Sequence, residues 1–154
     1  MCKVTDFINR LLGLRVNIPS PGDWLNETSM GVTGSLVTID LAKLNIQLSA
    51  SPKVWTIAIA DTGSMDGFMD YGNSALLIAG SNPDDHTKLI QHLIVGDIIV
   101  FGTGPGKAVM HRIVEIKDTP KGKRYITRGD NNAYTDSYEV YAGNLQWVCV
   151  GVLY

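Results

Sequence analysis

Apolar and polar residues alternate in short stretches over most of the chain, which is the pattern of half-buried β-strands. These stretches predict strands over residues 35–41, 44–48, 54–60, 98–101, 108–117, 124–127 and 145–153. Apolar residues at helical spacing predict a helix over residues 3–14, and residues 86–95 are a second, short helical candidate. Residues 17–34 hold several prolines and glycines and are predicted to form a loop.

These elements predict a mainly β protein of the α+β class, with one or two helices and a curled or partly closed sheet. We expect residues 1–53 to supply a helix, a loop and strands that pack on a body formed by residues 54–154. In the strand over residues 108–117, period-two spacing places Val109, His111, Ile113 and Glu115 on one face.

The composition is that of one globular domain, since the 154 residues are 45% apolar and 18% charged, with a net charge of −2. The lysines and arginines are scattered, so no nucleic-acid partner is expected. The apolar runs are far shorter than the about 20 residues of a membrane-spanning helix, so we expect no membrane span and a soluble, cytoplasmic protein. The spacing of the cysteines and histidines predicts no metal site and no cofactor. The oligomeric state stays open.

The segment at 61–66, Asp-Thr-Gly-Ser-Met-Asp, comes directly after a strand-like run. A glycine before Ser64 lets the chain turn sharply and expose the hydroxyl. The Ser64 N–H and the Thr62 hydroxyl are then candidate donors to an oxyanion. The alternative is an ordinary Thr-Gly-Ser turn.

His111 stands out because it lies inside an apolar strand, in Val-Met-His-Arg-Ile-Val at 109–114. A partly buried imidazole needs partners for both ring nitrogens. It is either a structural histidine or a general base, since histidine accepts protons near neutral pH.

A third segment, Thr-Arg-Gly-Asp-Asn-Asn at 127–132, has the composition of a turn, and Asp136 follows it. Asp130 and Asp136 are both candidates to orient the imidazole of His111, because a carboxylate fixes one histidine tautomer well.

Taken together, four motifs occur in an informative order: Gly-Ser-Met at 63–65, Gly-Asp-Ile-Ile-Val-Phe at 96–101, His-Arg-Ile-Val at 111–114 and Arg-Gly-Asp-Asn-Asn at 128–132. In this order they resemble the type I signal peptidases, in particular the archaeal and endoplasmic-reticulum branch, where histidine replaces the catalytic lysine. Self-cleaving SOS-response and phage repressors share the same fold. The resemblance covers about residues 54–154. It implies a curled, partly closed, mixed β-sheet with a short N-terminal helix.

The resemblance implies a role for each matching residue. Ser64 matches the nucleophile, and His111 matches the general base. Thr62 matches an oxyanion donor of related enzymes. Asp136 matches the residue that orients the histidine and is favoured over Asp130.

The chain departs from the family pattern just after the nucleophile. The family usually has proline two residues after the methionine, but here the stretch reads Asp66-Gly67-Phe68. The expected Gly-Asp that follows appears as Gly72-Asn73, and a polar insertion occupies residues 80–91. These departures bear on the substrate more than on the chemistry.

The resulting prediction is a serine endopeptidase that cleaves an extended peptide or protein substrate laid against a strand edge. The resemblance implies small residues before the scissile bond. Lys107 shares the strand parity of His111 and is the alternative base. Two other functions stay open: a non-catalytic peptide- or protein-binding module of the same fold, and a self-processing phage-type protein.

Overall fold

The computed structural model describes Ser49 and residues 52–153. This part of the chain forms a seven-stranded sheet in the order β1-β2-β7-β3-β4-β5-β6. The strands are β1 (Lys53–Ala58), β2 (Ser74–Ala79), β3 (Ile98–Gly104), β4 (Lys107–Thr119), β5 (Gly122–Arg128), β6 (Val140–Tyr141) and β7 (Leu145–Leu153). The described residues also contain one α-helix, α1 (Pro83–Gln91), and a 3-10 turn, Ala142–Asn144.

The mainly β prediction is confirmed, but the sheet differs from the expected mixed, partly closed one. Every pair of neighbouring strands is antiparallel. Tight turns join β3 to β4 and β4 to β5, and such short connections require antiparallel neighbours. Among the described residues β1 and β6 form the two edges, so the sheet is open.

The elements predicted at 3–14, 17–34, 35–41 and 44–48 lie outside the described residues, as does nearly all of the N-terminal unit at 1–53. Across Ser49 and residues 52–153, no helix combines the length and the apolar character that crossing a membrane requires.

The greatest differences from the sequence prediction are at β2 and α1. β2 was missed because five of its six residues are buried, so it has no polar alternation. Helix α1 begins at Pro83 instead of residue 86, since the Asn82 side chain accepts a hydrogen bond from the Asp85 N–H at 2.9 Å. Proline also suits the first helical position. The helix ends at Gln91 and not at residue 95.

Two apolar clusters form the core of the part of the chain that the structure describes. Strand β3 contributes to both by alternation, with Ile99 and Phe101 in the first cluster and Ile98 and Val100 in the second. The first cluster includes residues of α1, and the second includes residues of the segment that follows β1. That segment, which carries the candidate nucleophile, is therefore anchored by core packing.

A β-bulge in β4 changes the faces on which its residues lie. The register shifts between Ile113 and Glu115, so Val114 is an extra residue relative to β5. Ile116 then packs against the same cluster as Ile113, while Glu115 is exposed. The expectation that Glu115 shares a face with His111 and Ile113 is therefore wrong.

Candidate active site

Ser64 lies in a turn after β1. Gly63 has a φ of 62°, a left-handed conformation that favours glycine. The Ser64 Oγ is 3.2 Å from the Thr62 Oγ1, and the Ser64 N–H donates to the same oxygen at 3.5 Å. Asn131 holds the turn from the other side, because its N–H donates to the Ser64 carbonyl and its Nδ2 donates to the Gly63 carbonyl, both at 2.9 Å. The position of the serine backbone is thus set by the turn at 129–132.

His111 is buried on β4, opposite Ile99 of β3. Its Nδ1 is 2.7 Å from the Asp136 Oδ2. The Thr127 hydroxyl donates to the same carboxylate oxygen at 2.7 Å, and the Asp136 N–H donates to the Thr127 carbonyl at 2.8 Å. With the carboxylate as acceptor, Nδ1 of a neutral imidazole carries the proton and Nε2 keeps its lone pair. The arrangement leaves Nε2 as the basic nitrogen.

Ser64 and His111 line one cavity of about 430 Å³. Its walls come from the end of β1 and the segment after it on one side, and from residues 108–111 of β4 on the other. Three strands, β2, β7 and β3, separate β1 from β4 in the sheet. Since β1 and β4 nevertheless line the same cavity, the sheet is curved. The candidate nucleophile and the candidate base, far apart in sequence, therefore face a shared space.

Gly129 lies where the serine turn approaches the imidazole. A β-carbon at this position would be 2.5 Å from the Ser64 carbonyl oxygen, 2.7 Å from the Asn132 Nδ2 and 2.9 Å from the His111 Nε2. Only glycine leaves this space open. Among the described residues no hydrogen bond joins the Ser64 Oγ to His111, and the hydroxyl pairs with Thr62. Catalytic hydrogen bonds often form only when substrate is bound.

Asp130, the other candidate partner of the imidazole, pairs with Arg112. The Arg112 Nε and Nη2 donate to its two carboxylate oxygens at 2.8 and 2.6 Å. Arg112 also donates from Nη1 to the Gly96 carbonyl at 2.8 Å, and its guanidinium lies 4.8 Å from the ring centroid of Phe68. The hydrogen bonds to Asp130 raise the pKa of Arg112, so this cation stays charged. It links β4 to the 129–132 turn and to the loop after Ser64.

Four residues that contribute to the site were not among the site residues predicted from the sequence: Thr127, Gly129, Asn131 and Asn132. The motif at 128–132 predicted a turn, and its glycine was interpreted as an ordinary turn residue. In the structure this glycine is needed because two other segments approach it closely. Thr127 gave no signal, since a threonine near the end of a strand is ordinary.

The cavity is lined by the hydroxyls of Ser64 and Thr62 and by the His111 imidazole, whose Nδ1 contacts the Asp136 carboxylate; these groups suit nucleophilic and acid–base chemistry. Within residues 52–153 no three His, Cys, Asp or Glu side chains cluster closely enough to hold a metal ion.

One curated protein with detectable similarity is signal peptidase I W of Bacillus subtilis (strain 168). It is 30% identical to this chain over 92 residues, which is 60% of the chain and 45% of the relative. The chain thus spans less than half the length of this relative. No family model and no solved structure matches the chain. The similarity supports a distant relation to signal peptidase I and a peptidase-like function.

Proposed function

We propose that the protein is a serine endopeptidase with Ser64 as nucleophile, His111 as general base and Asp136 as the residue that orients the imidazole. The observation that carries the proposal is the 2.7 Å contact between His111 Nδ1 and Asp136, made in the wall of the cavity that Ser64 also lines. This contact directs Nε2 towards the serine turn. A carboxylate, an imidazole and a serine in this relation resemble the serine-peptidase triad.

In the proposed reaction the Ser64 Oγ attacks the scissile carbonyl carbon while His111 Nε2 takes the hydroxyl proton. The resulting tetrahedral intermediate collapses, the C–N bond breaks, and Nε2 gives its proton to the leaving amine. A water molecule then attacks the acyl ester on Ser64 and passes its proton to Nε2. Release of the acid returns a proton from Nε2 to the Ser64 Oγ. The Asp136 carboxylate accepts the hydrogen bond from Nδ1 and so stabilises the imidazolium.

The Ser64 N–H and the Thr62 hydroxyl are the proposed donors to the oxyanion. Both lie beside the Ser64 Oγ in the turn after β1. The main chain holds the Ser64 N–H in place, whereas the Thr62 hydroxyl, which now contacts Ser64, would turn towards the carbonyl oxygen as charge develops there.

The proposed substrate is an extended peptide. β1 is an edge strand of the described sheet, it leads directly to the serine turn, and all of its residues are exposed. Its backbone groups are therefore suited to pair with an added strand, and Ile57 and Ala58 at its end also line the cavity.

The test is single-turnover cleavage of a peptide library by the full chain. Ser64→Ala and His111→Ala should each reduce the rate at least roughly a thousandfold, and Asp136→Asn by roughly a thousandfold or more, because the three groups act as a unit. Activity should fall towards acid pH, since a protonated imidazole cannot accept the serine proton.

Lys107→Ala is the matched control, because Lys107 is an exposed residue on the same strand as His111. It should leave the rate unchanged. Full activity in His111→Ala, or loss of activity only in Lys107→Ala, would overturn the proposed mechanism. Absence of cleavage by the wild type would favour a binding module instead.

A further inference from the structure

The Asp136 carboxylate belongs to a segment that is otherwise turned towards solvent. Residues 129–139, between β5 and β6, contain no helix and no strand. Within residues 133–139 Asp136 is the one residue that is not exposed, and its side chain is 10% accessible. The ring of Tyr138 contacts Phe101, but that contact lies beyond Asp136 and does not set how its carboxylate is turned. The orientation of the Asp136 side chain therefore depends on its own hydrogen bonds.

Thr127 binds Asp136 at two points. Its hydroxyl donates to the Asp136 Oδ2 at 2.7 Å, and its carbonyl accepts a hydrogen bond from the Asp136 N–H at 2.8 Å. Thr127 is itself held firmly, because it is 1% exposed and lies opposite Ile113 in the pairing of β5 with β4. The carbonyl contact fixes where the Asp136 main chain lies, and the hydroxyl contact fixes how its side chain is turned.

The same carboxylate oxygen receives two donors. Oδ2 of Asp136 is 2.7 Å from the Thr127 Oγ1 and 2.7 Å from the His111 Nδ1. A carboxylate oxygen has two acceptor sites, so the two donors do not compete. The terminal torsion of an aspartate is broad, however, and a carboxylate held by the imidazole alone can turn and carry the ring with it. A second donor from a buried strand position removes that freedom, because hydrogen bonds to a carboxylate are stronger than those between neutral groups.

We propose that Thr127 is a positioning residue of the site. Its hydroxyl holds the Asp136 carboxylate in the orientation that keeps a proton on His111 Nδ1 and directs Nε2 to the Ser64 turn. The inference rests on the proposed function, since it assigns a further role within the same site. Thr127 does not line the cavity, so it acts through Asp136 and not on the substrate.

The test separates the hydroxyl of Thr127 from its shape. Thr127→Val keeps the shape and removes the donor, whereas Thr127→Ser keeps the donor and removes the methyl group. Thr119→Val is the matched control. The Thr119 hydroxyl also donates a hydrogen bond of 2.7 Å, to the Gly122 carbonyl, but it lies at the end of β4 and does not line the cavity. Melting temperatures establish that each variant is folded under the assay conditions.

The first measurement follows the His111 ring by NMR in protein whose histidines carry nitrogen-15, with His111→Gln to identify its signals. With the ring neutral, we expect the wild type to carry the proton on Nδ1 and to show an Nδ1–H signal protected from exchange with water. In Thr127→Val this proton should exchange at least roughly tenfold faster or its signal should be lost, whereas Thr127→Ser and Thr119→Val should match the wild type. A proton on Nε2 in the wild type, or an Nδ1–H signal unchanged in Thr127→Val, would refute the inference.

The second measurement is cleavage of the peptide that the wild type cleaves best. Thr127→Val should lower kcat by roughly ten- to a hundredfold and change KM by less than about threefold, because the substrate contacts are intact and only the position of the base is lost. Thr127→Ser should recover most of this loss, and Thr119→Val should show none. A kcat of Thr127→Val equal to that of Thr119→Val would contradict the positioning role.

The two measurements separate this inference from the proposed function. If the wild type cleaves no peptide, the proposed function fails, and the NMR signal alone decides whether the Thr127 hydroxyl holds the pair of Asp136 and His111. If Thr127→Val cleaves as fast as the wild type, the proposed function stands and the positioning role fails. If Thr127→Val does not fold, Thr127→Cys takes its place in both measurements, since cysteine is close in shape to serine but its thiol is a weak donor.

Discussion

Replacing Gly129 with alanine tests whether the site depends on the close approach of three segments. The added β-carbon would meet the Ser64 carbonyl oxygen at 2.5 Å, the Asn132 Nδ2 at 2.7 Å and the His111 Nε2 at 2.9 Å. All three distances are shorter than real contacts of a β-carbon allow. Gly129 does not have a left-handed φ, so alanine adds no backbone strain, and the effect comes from crowding alone.

The neighbours have little freedom to move away. Asn131 holds the Ser64 carbonyl at 2.9 Å, and Asp136 holds the imidazole at 2.7 Å. Crowding of this kind should lower the free energy of unfolding by roughly 1–3 kcal/mol, and the melting temperature by roughly 2–4 °C for each kcal/mol. A shift of the serine or the imidazole by about 1 Å should cost peptidase activity on the order of a hundredfold.

Thermal unfolding and peptide cleavage measure the two effects separately. Gly143→Ala is the matched control, because a β-carbon at Gly143 meets nothing within 4 Å and its φ is not left-handed. It should change neither the melting temperature nor the rate by a comparable amount. If Gly129→Ala were as stable and as active as Gly143→Ala, the proposed approach of Ser64 and His111 across this glycine would be wrong.

Two further predictions concern Arg112 and Cys149. Arg112→Met removes the paired hydrogen bonds to Asp130 and should lower the free energy of unfolding, measured by urea denaturation, by roughly 1–3 kcal/mol. Lys117→Met, at an exposed ion pair, is the control and should change this free energy by less than about 1 kcal/mol. Burial raises the pKa of the Cys149 thiol, so the native protein holds less thiolate at neutral pH than the unfolded protein does. Iodoacetamide should therefore modify Cys149 more slowly in the native protein than in the protein unfolded in urea, and the native rate should rise at alkaline pH. The first prediction would be contradicted if Arg112→Met were as stable as Lys117→Met. The second would be contradicted if peptide mass analysis showed that Cys149 is alkylated equally fast in the native protein and in urea.

The sequence by itself determined the class of fold and most strands of the body. The strand predicted over residues 145–153 has the same bounds as β7, and the short alternating runs around His111 predicted β3, β4 and β5. These strands could be predicted because successive side chains point alternately towards the core and away from it. This alternation produces a period of two in the pattern of apolar residues.

A fully buried strand and an irregular strand pairing leave no such alternation of apolar and polar residues in the sequence. β2 lies between two strands with nearly all its residues buried, so its sequence does not distinguish a strand from a helical segment. The bulge at Val114 reverses the faces of the following residues, and only the pairing of β4 with β5 shows it.

The sequence also supplied the candidate residues of the site, but the tertiary structure decided their partners. Asp130 and Asp136 were both suited to His111, and the choice depends on the register of β4 and β5. Arg112 pairs with Arg128, so the turn that follows β5 carries Asp130 to Arg112 and Asp136 to the imidazole. The cavity likewise exists only because the curved sheet brings the segment after β1 close to residues 108–111 of β4. Residue types limit the possible chemistry, whereas the distances that select among partners arise from strand pairing between segments far apart in the chain.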